Sequence, residues 1–309
     1  MIASLCLLLL ACKQVPKRVQ AEATNNQQTQ NHGPYRLARV VGSIHNTNVK
    51  ESSGLIASRS TPGAYWTHND SGDGPFIYAM NDEGQPLGTW RVTGAEADDW
   101  EDISIGPGPE PGKSYLYIGD IGDNDLVRKE ITIYRVLEPK PDASFSESTK
   151  KNPEITEPAE KITLRYPGQK HDAEALLVHP QTGAVYIVTK EAMGNPLVYE
   201  AAAPLSTSEP ITLKSLGELK IRSLFGGIIT GGSISPDGKH VALCDYFQAY
   251  ELSLPADTQN FDDIWKQRLV SFNFGKREQG ESITYRLDGQ AVLGTSEGKR
   301  AQVIEALRN

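Results

Sequence analysis

Cysteine is nearly absent from this chain: Cys6, Cys12 and Cys244 are the only three in 309 residues. A disulfide framework or a thiolate-rich metal site is therefore excluded. Basic charge is equally sparse in blocks, with none beyond Lys13 to Arg18, and the formal net charge is −8. That composition argues against nucleic acid as a partner, since binding it takes a concentrated cationic surface that displaces counterions. Amphipathic helices are also scarce, and the best candidate, Asn260 to Arg268, is too short to organise a domain. No serine-centred triad can be read along the chain, and no Gly-rich phosphate loop lies between a strand and a helix. What is abundant is turn chemistry. Twenty-eight glycines and nineteen prolines suit an all-β fold with many short strands.

The N-terminus has its own character. Met1 to Cys12 is apolar but shorter than the about 20 residues that cross a bilayer as a helix. It matches the apolar region of an export signal. Leu9-Leu10-Ala11-Cys12 resembles a bacterial lipobox, with a small residue directly before a cysteine. The resemblance implies a signal over 1–11, lipidation of Cys12 and a membrane-anchored, extracytoplasmic protein of the bacterial cell envelope. Lys13 after the cysteine favours the outer membrane. Residues 13–33 are rich in Gln, Asn, Lys and Thr and cannot bury enough surface to offset their ordering entropy, so 12–34 reads as a disordered tether. Cys244 then remains as a small core residue in an apolar strand.

From residue 35 to 309 the chain repeats. Glu51-Ser-Ser-Gly-Leu55, Asp99-Trp-Glu-Asp-Ile103, Asp172-Ala-Glu-Ala-Leu176, Thr230-Gly-Gly-Ser-Ile234 and Gln279-Gly-Glu-Ser-Ile283 each open an apolar strand, and their last residues lie 48, 73, 58 and 49 positions apart. Four-stranded propeller blades take about 40 to 50 residues. The long interval contains Pro139 to Lys161, a Pro/Ser/Glu/Lys stretch that reads as a surface loop. Hairpin turns such as Ser235-Pro-Asp-Gly238 follow each opening strand. Ile162 to Tyr166, Ile211 to Leu219 and Arg268 to Phe274 read as outer strands. The fifth unit lacks one, and Tyr35 to Ile44 is a spare strand that would pair with Gln302 to Ala306. The expectation is an all-β, five-bladed β-propeller closed by its N-terminal strand, with six blades as the alternative.

The repeat also places chemistry. Two residues before each aligned apolar position stand Ser53, Glu101, Glu174, Gly232 and Glu281, so carboxylates recur round the axis. The turn after each second strand adds Asn69-Asp70, Asp120 with Asp123-Asn124, Lys190-Glu191, Asp245 and Glu297. Close like charges repel, and burial aggravates it, so something must compensate. Ca²⁺ or another divalent cation is one solution, because it takes several oxygen ligands. Capping of backbone N–H groups, or pairing with Arg91, Arg128 and Lys190, is the other. His68, Asn69, His171 and Glu297 are candidates to contact a ligand at this mouth. Trp66, Trp90 and Trp100 read as packing residues.

Taken together, Glu51 to Leu55, Trp66-Thr-His-Asn-Asp-Ser-Gly72, Asp99 to Ile103, Gly119-Asp-Ile-Gly-Asp-Asn124, Thr230 to Gly238 and Gly280 to Thr284 resemble a group of bacterial secreted β-propellers of mostly unassigned function. The chain is more distantly similar to gluconolactonase-like and phytase-like propellers. That resemblance implies a divalent metal held by Asp70, Glu101, Asp120, Glu174, Asp245 and Glu281. The chain departs from those families at Ser53 and Gly232. The functional expectation is a lipid-anchored binding module for a protein, a glycan or a small anionic ligand. The alternative is a metal-dependent hydrolase of phosphoesters or lactones.

Overall fold

The computed structural model describes residues 33–221 and 227–309. The export signal, Cys12 and the tether up to residue 32 lie outside the described residues. Strands alternate their side chains between two faces, and here both faces are buried, so the core strands are apolar almost throughout. Ser114–Asp120 shows the rule: Tyr115 and Tyr117 enter one core, while Leu116 and Ile118 enter the next. Five such cores separate five sheets.

The sheets are the blades of a five-bladed propeller. Their inner strands are Ser52–Ala57, Trp100–Pro107, Ala173–Val178, Gly231–Ile234 and Thr284–Tyr285. Each packs against the inner strands of the blades beside it, and the fifth returns to the first. Blade 5 takes its outer strand from the N-terminus: Arg39–Ser43 pairs antiparallel with Gln302–Leu307. The ring therefore closes as the repeat predicts, and no sixth sheet occurs among the described residues. The closure is reinforced by Glu251, whose buried carboxylate accepts from Tyr35 (2.6 Å), Tyr285 (2.8 Å) and Arg308.

Two expectations are corrected. Pro139 to Lys161 is not simply a loop: Glu154–Pro158 adds to blade 1 as a fifth strand parallel to Pro86–Thr93. Phe145, in the 3₁₀ turn Ala143–Phe145, sits 5.6 Å from the Trp90 ring. An outermost strand needs few apolar residues, so its composition looked like loop. Likewise Ile211 to Leu219 is not one strand. Ile211–Thr212 joins blade 2 in parallel, and Lys214–Glu218 completes blade 3. The helical reading near 260 survives as a short 3₁₀ helix, Phe261–Lys266, capped by the Asn260 side chain. No helix among the described residues is long and apolar enough to cross a membrane.

The inner strands present free backbone edges to the central channel, and side chains from neighbouring blades satisfy them. Ser104 Oγ accepts from Val178 N (3.0 Å), Ser53 Oγ donates to the Glu101 carbonyl (2.6 Å), and Thr230 Oγ1 donates to the Gly280 carbonyl (2.7 Å). Asp102 bridges most widely, accepting from Ile103 N (2.8 Å), Leu176 N (3.0 Å) and Gly232 N. One end of the channel is narrowed by residues such as Ile56, Ile105, Val178, Ile234 and Tyr285 to a pocket of about 30 Å³, room for about one water. The other end holds the acids.

Candidate metal centre

Inner strands begin, and second strands end, at the same end of each blade: Ser52 pairs with Asn69, Trp100 with Asp120, and Ala173 with Thr189. The acidic clusters of different blades therefore meet at one mouth. In blades 2 and 3 the pairing register slips by one residue, at Glu101 and at Glu174. Such bulges re-aim the extra side chain, and here that residue is the glutamate. In blade 4 the register is regular. A Cβ on Gly232 would come within 2.8 Å of Leu243 and 3.2 Å of Leu177, so a larger side chain there would have to displace both leucines.

Asp70, Asp99 and Glu101 offer one carboxylate oxygen each, all within 4.8 Å of one another. Glu101 is only 3% exposed, while the two aspartates are partly open to solvent. Gly122 walls the group from behind: a Cβ there would lie 2.2 Å from Glu101 Oε1 and 2.4 Å from Asp99 Oδ2. Burial, then the charges of Glu174 and Asp70, hold the Glu101 carboxyl well above the usual carboxylate range. Burial and Asp70 push Asp99 up to about 6.

Glu174 faces the same group. Its Oε1 is held by Lys190 Nζ, but its Oε2 is buried with no hydrogen-bond partner among the described residues. Burial pushes it up to about 7 against the opposing charge of Lys190. Burial and Glu174 push Glu281 up to about 9, with Gln279 Nε2 at 3.2 Å from its Oε1. Glu297 is raised by burial and by the charges of Asp70 and Glu51. A mouth of buried, mutually repelling carboxylates with an orphaned oxygen suits a hard cation, which would supply the missing charge and partner.

The other residues singled out from the sequence have different surroundings. Asp120 is paired with Arg128 (2.7 Å) and accepts from Asp98 N and Asp99 N (3.1 and 3.4 Å), bracing the triad from behind. Asp245 accepts from Phe247 N and Gln248 N (both 2.7 Å) and from Tyr250 OH (2.6 Å), so it caps a turn. Asn69 Oδ1 takes Lys50 N and Glu51 N, and its Nδ2 donates to the Asn48 carbonyl. His68 is fully buried, with Nδ1 on the Asn69 carbonyl at 2.8 Å, and burial lowers its pKa. His171 has Nδ1 at 3.2 Å from Glu191 Oε1 and Nε2 at 3.0 Å from Tyr199 OH. Arg91 is exposed, and Trp66, Trp90 and Trp100 lie in the core between blades 1 and 2. Cys244 is buried, which pushes its thiol up to about 11, too high for a ready thiolate.

Sequence reasoning did not single out Asp99, Asp102 or Gly122. Asp99 had a visible signal: it stands two residues before Glu101, the spacing that returns a side chain to the same face of a strand. Gly294-Thr-Ser-Glu-Gly298 also spells the Gly-x-Ser-x-Gly pattern of a nucleophile elbow. It connects Ala291–Gly294 to Gln302–Leu307, strand to strand, whereas the elbow requires strand to helix.

No protein-family model matches the chain, and no curated protein matches it in sequence. The propeller is established by the structure, and no family is identified.

Proposed function

We propose that the propeller binds a hard divalent cation, Ca²⁺, at the acidic mouth of its channel, and that this face serves a binding module of the cell envelope. The observation that carries the cation is the convergence of Asp70, Asp99 and Glu101 within 4.8 Å around a buried glutamate. The orphaned Glu174 Oε2 supports it. An all-oxygen donor set without accessible imidazole or thiolate favours Ca²⁺ over Zn²⁺. A binding role fits best because His68 is buried and both ring nitrogens of His171 are engaged, leaving no accessible free imidazole at the mouth among the described residues. A metal-dependent hydrolase is the second reading, favoured by Asp99, a partly exposed carboxyl at about 6 that could exchange a proton near neutral pH.

The test is metal analysis of the purified protein together with melting in Ca²⁺ and in chelator. A ligand at 100 times its Kd adds about 2.7 kcal/mol, which for a domain of this size raises Tm by roughly 5–10 °C. Glu101→Gln should abolish the shift. The pH dependence has a definite sign. Asp99, Glu174 and Glu281 bind protons more tightly folded than unfolded, so without cation stability falls as pH rises from about 4.5 through about 6, 7 and 9. The Ca²⁺ shift should thus be largest near pH 8 and shrink towards pH 5. A metal-free protein whose melting ignores chelator sinks the proposal.

The envelope location rests on Leu9-Leu10-Ala11-Cys12. Cys12→Ser should move the protein from the membrane to the soluble fraction of expressing bacteria; continued membrane retention would refute the anchor.

A further inference from the structure

The described residues expose eight large apolar side chains, and their distribution is uneven. Leu37, Val40, Ile155 and Val270 lie on or beside the outermost strands of the blades. Leu126, Val127, Met193 and Phe247 lie in connections between second and third strands, at the end that carries the acidic mouth. The opposite end of the channel carries none of the eight. Met193 is 92% exposed, Val127 66% and Leu126 50%.

The display is built rather than loose. Asp123 is buried, and its carboxylate accepts from Val127 N (2.8 Å) and Arg128 N (2.9 Å), while its carbonyl accepts from Leu126 N (2.8 Å). Leu126 is held at φ 53, a conformation that leucine rarely adopts. A leucine and a valine kept outward by a buried carboxylate, with an almost fully exposed methionine on the corresponding connection of the next blade, give this end of the propeller a prearranged apolar rim.

Inside that rim the mouth already shows how it holds an ammonium group. Lys190 Nζ is bonded to Glu174 and lies 5.9 Å from the centre of the Tyr246 ring. Glu281 and Glu297 have no cationic side chain bonded to them among the described residues. We propose that this face docks a polypeptide segment of a partner protein in which a lysine or arginine is flanked by large apolar side chains. The cation enters the acidic mouth, and the apolar residues cover Leu126, Val127 and Met193. A cation entering beside Glu281 and Glu297 favours their charged forms, whereas an anionic lipid surface would be opposed by the acids of the mouth. The docking does not rest on the metal reading, since Glu281 and Glu297 lie outside the triad.

The probe is a synthetic 14-residue peptide of lysine and leucine, with a glutamate and leucine peptide as its counterpart, titrated by fluorescence anisotropy in 150 mM NaCl. Chelator is present throughout, so the outcome is independent of any cation. The lysine peptide is expected to bind saturably. The triple variant Leu126→Ser, Val127→Ser, Met193→Ser should bind at least about tenfold more weakly, and Glu281→Gln should weaken binding several-fold. The edge variant Leu37→Ser, Val40→Ser should stay within twofold of the parent. Equal losses in the rim and edge variants would overturn the proposal, as would equal affinity for the glutamate peptide. Binding to anionic phosphatidylglycerol vesicles without binding to the lysine peptide would overturn it too.

Discussion

Asp102→Ala is expected to cost about 4 kcal/mol of stability and to lower Tm by roughly 10 °C, the largest effect of any single substitution proposed for this protein. Asp102 is 1% exposed and sits where three blades meet. Its oxygens take the amides of Ile103, Leu176 and Gly232, one from each of blades 2, 3 and 4. Burial holds its carboxyl well above the usual range despite these three donors, so the group is costly to keep and costlier to lose. Truncation leaves three amides facing a channel with no other acceptor supplied. Each unmet buried donor costs about 1–3 kcal/mol, and the void adds to that. Asp102→Asn retains one acceptor oxygen and should fall between parent and alanine. Urea titration decides the matter: a loss below about 1 kcal/mol for the alanine variant would mean that water replaces the carboxylate and that the bridge is not structural.

Glu251→Ala should follow closely, at about 3 kcal/mol. Glu251 lies in Ala249–Ser253 of blade 4, and its carboxylate gathers Tyr35 from the N-terminal segment, Tyr285 from blade 5 and Arg308 from the C-terminus. Arg308 also donates to the Tyr35 hydroxyl at 2.9 Å and stacks 5.0 Å from the Tyr35 ring. Removing the acid leaves a partly buried guanidinium without its counter-charge and two phenols without their acceptor. Because Tyr35 bridges to Arg308, just beyond the Gln302–Leu307 strand with which the closing strand pairs, the loss should appear as early opening of the closure. Hydrogen exchange of the Arg39–Ser43 amides should then accelerate more than that of the Leu116–Ile118 amides. Tyr35→Phe, which removes one hydroxyl, should cost only about 1 kcal/mol. Uniform acceleration across all five blades would refute a local lock at the closure.

Much of this arrangement is written plainly in the chain. The recurring acidic openings, the hairpin turns and the spare N-terminal strand are local signals, and each follows from backbone geometry at short range. Residues such as Leu116 and Tyr117 are apolar on alternate faces because each blade is covered on both sides. The glutamates at 101, 174 and 281 were legible as a ring for the same reason, since equivalent positions in a repeat take equivalent places about an axis. Pro139 to Lys161 was not legible, because its strand pairs in parallel with a segment some sixty residues earlier. Such long-range pairing leaves little trace in a polar edge sequence.

The acidic site divides along the same line. By itself the sequence determined the fold class, the closure and the end of the channel at which carboxylates gather, because these depend on period and order. Only the tertiary structure decided which carboxylates converge. Asp70 and Glu101 meet Asp99, whereas Asp120 and Asp245 are turned to amides and, for Asp120, to Arg128. The physical reason is that convergence depends on a one-residue bulge, on the missing side chain of Gly122 and on which oxygen Lys190 takes from Glu174. The bulge and Gly122 lie within blade 2 and the Lys190–Glu174 pair within blade 3, but Asp70 arrives from blade 1, and no single repeat contains that meeting.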